Sequence, residues 1–285
     1  MRCSRRMHTA GPRWKNDGAD MNGFLRLCLV VCPFIFAAGF IDSVAGGGGI
    51  LSLPAYLMAG IPAHAAAGTN KVVNGCGTCI ATLKYFRSGK VRVRLAVIAA
   101  AGAILGSAAG AQLASLIPES VLKGIMLVAL PGVAVFMVVK KDFGADNEEY
   151  AERVKKYGKK EMIISTLIGI FIGCYDGLVG PGTGTFMIVA FTAFLSMDLL
   201  TASGCSKAAN LASNVSAAVV WILHGSVLWK LALPAIACNT LGNYMGARYA
   251  IRGGSEKIRK MMFVVLGLLF VKILYDLLAV PGICK

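Results

Sequence analysis

The chain has 285 residues, 56% of them hydrophobic and only 15% charged, with a mean hydropathy of +0.68. Soluble globular domains carry roughly a quarter charged residues, so a soluble fold is excluded, and the sequence does not show the short alternating strands of a membrane β-barrel. The formal charge of +15 does not signal nucleic acid, because Lys and Arg cluster in short stretches between apolar runs, as in cytoplasmic loops of a membrane protein.

The predicted elements are all helical. A polar, basic N-terminal tail covers 1–22. It lacks the small-residue cleavage site of a secretory signal, and it reads either as a flexible tail or as a start placed upstream of Met21. Apolar segments follow at 23–43, 48–60, 69–87, 94–114 and 120–139. A mixed-charge linker, 140–161, separates them from a second set at 162–180, 184–197, 204–223, 231–250 and 260–279, and a short tail closes the chain at 281–285. A bilayer core takes about 20 helical residues to cross. The second segment of each set is too short for that and reads as a half-helix. The expectation is an all-α polytopic membrane protein.

The two sets resemble each other. Shifted by 134 residues, "GFIDSVAGGGG" from Gly39 falls on "GCYDGLVGPGT" from Gly173. A slip of two residues then gives an offset of 136, which matches Lys71 with Lys207, Asn74 with Asn210, and Gly106/Gly110 with Gly242/Gly246. The expectation is a duplicated unit, 23–139 and 162–280. Loop charges indicate its sense. Residues 87–94 carry four basic residues against one in 223–230, whereas 115–123 carry one against four in 251–260. Corresponding loops thus take opposite charge bias, as inverted repeats require. The linker is then placed in the cytoplasm.

The interruptions carry the chemistry. Consecutive glycines cannot hold a helix, at about 1 kcal/mol of lost propensity each, and unwound backbone survives in a bilayer only inside protein or beside a water-filled cavity. Gly46, Gly47, Gly48 and Gly49 in one set, and Gly180, Gly182, Thr183 and Gly184 in the other, are expected to face an internal cavity. The helices restarting there aim amide N–H groups into it, which favours anions. Gly102, Gly106, Gly110, Gly242 and Gly246 are expected instead to serve close helix packing.

Ionisable residues inside membrane segments are functional candidates. Asp42, Asp176, Lys71 and Lys207 are such residues, related in pairs by the repeat. Asn70, Asn74, Asn210 and Asn214 lie beside the lysines and complete a polar, cationic stripe suited to an oxyanion. Asp42 and Asp176 could pair with the lysines, cap a half-helix or carry a proton. The alternative is lysine snorkelling at segment starts. His64 and His224 are placed in loops without a catalytic role. Cys76 and Cys79 form a CxxC with no further ligand nearby, so small packing residues are the simpler reading. No motif calls for a cofactor or a metal.

These stretches, "GFIDSVAGGGG", "GTNK", "YDGLVGPGTGTF", "SKAANLASN" and "GARYAIRGG", resemble those of the TauE/SafE sulfite-exporter family, also called the toluene sulfonate uptake permeases. The resemblance runs from Gly39 to Asp276. It implies a bacterial inner-membrane permease for a small sulfur-containing or organic anion such as sulfite or a sulfonate. Its partners would be that anion, the lipid bilayer, a coupling ion such as the proton and, in some assemblies, a second copy of the chain. A passive anion channel and a membrane thiol enzyme using Cys76 and Cys79 are the alternatives.

Overall fold

The structure, a computed structural model, describes residues 21–117, 158–178 and 180–279. The expected segment at 120–139, most of the linker and both tails lie outside the described residues. Eight helices are described: α1 (Met21–Ala45), α2 (Gly49–Met58), α3 (Ala63–Arg87), α4 (Val93–Leu116), α5 (Lys159–Leu178), α6 (Thr183–Leu195), α7 (Leu199–Leu223) and α8 (Trp229–Ala279). The segments expected at 231–250 and 260–279 form one 51-residue run, α8, broken at Gly254 with φ 64° and ψ −165°.

Among the described residues, three helices are long and apolar enough to cross a membrane: Gly23–Ala45, Val93–Leu116 and Lys159–Leu178. At 1.5 Å per residue, α2 and α6, with 10 and 13 residues, reach only about 15 and 20 Å, short of the ~30 Å hydrocarbon core. Helices α3 and α7 are 25 residues each, but their apolar character is diluted by buried polar groups.

The surface exposes large apolar side chains, and the interior, beside its apolar clusters, buries charged ones. Leu29, Leu105, Phe171 and Leu233 are two-thirds or more exposed, while Asp42, Lys71, Asp176, Lys207, Asn210 and Asn239 are buried. That inverts the pattern of a soluble protein and fits a chain whose outer solvent is lipid.

Small residues set the seams. On α4, Gly102, Gly106 and Gly110 lie against the α5 backbone at Thr166, Ile170 and Cys174 in turn. On α8, Gly242 and Gly246 lie against α1 at Phe36 and Phe40. The packing role expected of these five glycines is therefore what they perform, and both helix pairs run parallel. Helices α3 and α7 cross antiparallel at the centre, with Gly68 against Trp221 and Gly75 near Asn214. Helices α4 and α7 run together: Arg92 is beside Cys205, Ser107 beside Ser213, and Ser115 beside His224. Helix α3 starts beside Ser226, and its Lys84 lies over the Tyr244 ring of α8, so α3 and α8 also share a direction. Thus α1, α3 and the first part of α8 point one way, and α4, α5 and α7 the other.

Candidate functional site

Each glycine-rich interruption ends a long helix inside the protein. Helix α1 stops because Gly46 takes φ 78°, a left-handed conformation that costs a residue bearing a Cβ about 1–2 kcal/mol. A helix end leaves its last carbonyls without intrahelical donors, and here side chains from three other helices supply them. Tyr85 on α3 donates to Ser43 O at 3.0 Å, Ser203 on α7 to Val44 O at 3.1 Å, and Thr185 on α6 to Ala45 O at 2.7 Å. The Thr185 N–H then donates to Gly46 O at 3.2 Å. On the other side Gly180 (φ 90°) and Gly182 (φ 82°) break the chain. There Thr183 donates to Gly180 O and Tyr175 to Pro181 O, both at 2.7 Å.

The two interruptions meet. Gly46 and Gly184 lie so close that a Cβ on either would enter the other's backbone, and a Cβ on Gly49 would come within 2.9 Å of Pro181 Cα. Gly47 packs on Val265 and Gly48 on Asp42. Protein, not lipid, surrounds both stretches. Gly46 and Gly49 meet the backbone of Gly184 and Pro181, while Gly47 meets the Val265 side chain and Gly180 the Lys71 ammonium.

The four ionisable residues join across this junction. Lys71 Nζ lies 2.8 Å from Asp176 Oδ2, and Lys207 Nζ lies 2.8 Å from Asp42 Oδ2. Each pair takes its lysine from one set of helices and its carboxylate from the other. Lys207 is fully buried and Lys71 only 4% exposed. Both lysines sit at the ninth position of a 25-residue helix, because α3 and α7 begin earlier than expected. Their ammoniums reach carboxylates and not the interface, so the snorkelling alternative fails. Lys71 also sits beside Gly180, where an added Cβ would stand 3.2 Å from Nζ.

The two pairs differ in their surroundings. Asp176 Oδ2 accepts a second hydrogen bond, 2.6 Å from Ser213 Oγ. The counterpart of Ser213 in the first set is Gly77, and an Asn239 amide from α8 fills that space, donating to Asn74 Oδ1 at 3.2 Å. Asn243 donates to Asn239 Oδ1 at 2.9 Å. Asn214 donates to Asn210, at 2.8 Å to its carbonyl and 3.0 Å to Oδ1. Asn70 Oδ1 is buried and accepts no hydrogen bond among the described residues. The side-chain oxygens of Asn74 and Asn210 both act as acceptors here. Sequence reasoning missed Ser213, Asn239, Asn243 and Tyr85. The available signal was a polar residue inside an apolar helix; reliance on repeat-matched charges passed over it.

Two further placements correct expectations. His64 lies in the first turn of α3, its ring 5.8 Å from that of Trp221, and His224 caps α7; only the latter is at a turn. Cys76 is exposed, Cys79 is half-buried, and both are free thiols. Among the described residues, no His, Cys, Asp and Glu are grouped to hold a metal ion.

Comparison with known proteins gives one answer. The family model described as "Sulfite exporter TauE/SafE" matches residues 31–273. A probable membrane transporter protein, ORF9 of Sinorhizobium sp., is 38% identical over 261 residues, covering 90% of this chain and 95% of its own. A probable membrane transporter of Haemophilus influenzae is 31% identical, covering 85% and 92%. The Escherichia coli K12 protein YfcA, likewise described as a probable membrane transporter, is 32% identical, covering 84% and 86%. No solved structure matches the chain. With polar groups gathered inside an apolar shell and a family match across most of its length, the chain belongs to the sulfite exporter TauE/SafE family of membrane proteins.

Proposed function

We propose that the protein is a secondary transporter that moves a small oxyanion, sulfite or an organic sulfonate in class, by alternating access between two inverted halves. The observation carrying this reading is the reciprocal pairing of Lys71 with Asp176 and Lys207 with Asp42 where the two broken stretches meet. Buried charge is costly and is retained in membrane segments chiefly for transport, relay or sensing. The opposite directions of α1 and α5, and of α3 and α7, are those expected of inverted copies, whose substrate sites lie at the repeat interface.

The chemistry follows from charge balance. With both carboxylates ionised, each ammonium is neutralised and an anion has no net attraction to the junction. A proton taken by Asp42 or Asp176 leaves its lysine unpaired. That ammonium, with the N-termini of α2 and α6 nearby, then attracts an anion. Proton and anion would enter together, and loss of the proton on the far side would expel the anion.

Reconstituted liposomes test this. Sulfite and sulfonate uptake should saturate, respond to an imposed pH gradient and fall at least a hundredfold in Lys71→Ala or Lys207→Ala. Unsaturable flux indifferent to the pH gradient would indicate a channel. Flux that survives both lysine changes but vanishes in Cys76→Ser/Cys79→Ser would move the site to the thiols.

A further inference from the structure

A second polar feature lies away from the ion pairs. Between the C-terminal end of α3 and the stretch of α8 before Gly254 runs a groove of about 620 Å³. Ile80 and Leu83 of α3 line it at one end, with Tyr244 of α8. Lys84, Arg87, Arg248 and Arg252 line the other. Because α3 and α8 share a direction, the basic side chains of both helices lie toward the same end, with Ile251 between Arg248 and Arg252. Lys84 is engaged, its Nζ 3.6 Å from the Tyr244 ring centroid. Among the described residues, no carboxylate pairs with Arg87, Arg248 or Arg252.

Three exposed arginines with no carboxylate partner among the described residues line one groove, a cluster of like charge that an anion would neutralise. The groove opens beside apolar side chains that face outward: Leu83, Leu241 and Met245 are about half exposed. A small inorganic anion has no use for that apolar wall. A phospholipid matches both ends, its phosphate among the guanidiniums and an acyl chain along Leu83 and Tyr244. The guanidinium fork suits a phosphate in two-point contact, and basic pockets between membrane helices on the cytoplasmic side are suited to anionic lipid headgroups. Basic residues also mark this end of the bundle, with Lys90 in the turn after α3 and Lys159 at the start of α5, which is the bias of a cytoplasmic face.

We propose that this groove is a binding site for one anionic glycerophospholipid of the leaflet at the basic end, held through its phosphate by Arg87, Arg248 and Arg252. It is independent of the Lys–Asp junction and of which anion is carried.

The test is native mass spectrometry of the full chain in mild detergent, titrated separately with phosphatidylglycerol, phosphatidylcholine and inorganic phosphate. The wild type should retain one phosphatidylglycerol at least tenfold more tightly than phosphatidylcholine, and millimolar phosphate should not displace it. In the triple variant R87Q/R248Q/R252Q the affinity for phosphatidylglycerol should drop roughly a hundredfold, at about fivefold per basic contact, and the preference over phosphatidylcholine should vanish. Should the triple variant fail to fold, Arg248→Gln alone should lose about fivefold, and Arg248→Lys part of that, because it keeps the charge and gives up the two-point contact. Equal retention of the two lipids, or undiminished phosphatidylglycerol binding in the variants, overturns the proposal. Displacement by free phosphate also overturns it and assigns the groove to a soluble anion.

Discussion

A buried ammonium and a buried carboxylate depend on each other in a way that surface charges do not. Removing one partner of such a pair leaves an uncompensated charge and costs about 3–5 kcal/mol, whereas replacing both by apolar groups is often close to neutral. Lys207 with Asp42 allows a direct test, since the lysine is fully buried. Lys207→Met and Asp42→Leu should each lower the melting temperature of the purified protein strongly. The double variant should recover most of that stability and none of the transport. If stability and transport recover together, the pair is structural. Ser213 gives a finer test at the other pair. Ser213→Ala removes one hydrogen bond to Asp176, about 1.5–3 kcal/mol for a charged acceptor. Its loss should lower the thermal midpoint in detergent, and an unchanged midpoint would mean that the hydrogen bond contributes nothing to the folded state. All four charges were legible in the sequence because membrane segments tolerate so few of them. Their cross-pairing was not, because spacing along the chain carries no information about which distant helix supplies the counter-ion. Ser213 and Asn239 were hidden for a different reason: at the offset of 136 they align with Gly77 and Ala103, so a search for matched polar residues steps over them.

Single helices here are defined as much by where they stop as by what they bury. The end of α1 survives in an apolar setting because Tyr85, Ser203 and Thr185 satisfy its last carbonyls. Tyr85→Phe should leave Ser43 O unsatisfied and cost about 1–3 kcal/mol, read as a lowered thermal midpoint in detergent. Gly46→Ala should be worse. It combines a left-handed φ of 78° with a Cβ driven into Gly184, for about 1–2 kcal/mol of conformational cost and 1–3 kcal/mol of overpacking. Gly89→Ala is the matched control, because Gly89 has φ 72° and open space around it; it should show the conformational part alone. Equal losses in the two variants would mean that the contact between the two breaks contributes nothing. The sequence located both breaks, since four adjacent glycines and a Gly-Pro-Gly-Thr-Gly run have no other use in a helix. It could not tell a break lining a cavity from a break packed on its twin, because both demand the same residues. Helix starts were less legible. Helix α3 was expected from residue 69 and begins at Ala63, its early turns being small residues with weak hydropathy. Helix α7 begins at Leu199 because Asp198 caps it, accepting from Thr201 N at 2.9 Å.

Across the molecule, direction is the property that joins the two halves. Helices α3 and α7 cross antiparallel, so the turn after α3 and the turn after α7 lie at opposite ends of the bundle. The first carries Arg87, Lys90 and Arg92; the second carries His224 and no Lys or Arg before Lys230. The helix directions and the charge bias are independent facts, one from packing and one from composition, and they agree. Parallel halves would put both turns on one face. Single cysteines at Lys90 and Leu223, both exposed, in a background with all nine native cysteines replaced by serine or alanine, distinguish these arrangements in intact bacterial cells. A membrane-impermeant maleimide should label Leu223→Cys from outside, and Lys90→Cys only after the membrane is opened, since Lys- and Arg-rich turns stay on the cytoplasmic side. Labelling of both positions from the same side would break the inverted relation, and with it the reason for Lys71 and Lys207 to reach across the junction for each other's carboxylates. Labelling with the sides reversed would keep the inversion but place the basic end outside, so the lipid groove between α3 and α8 would face the opposite leaflet.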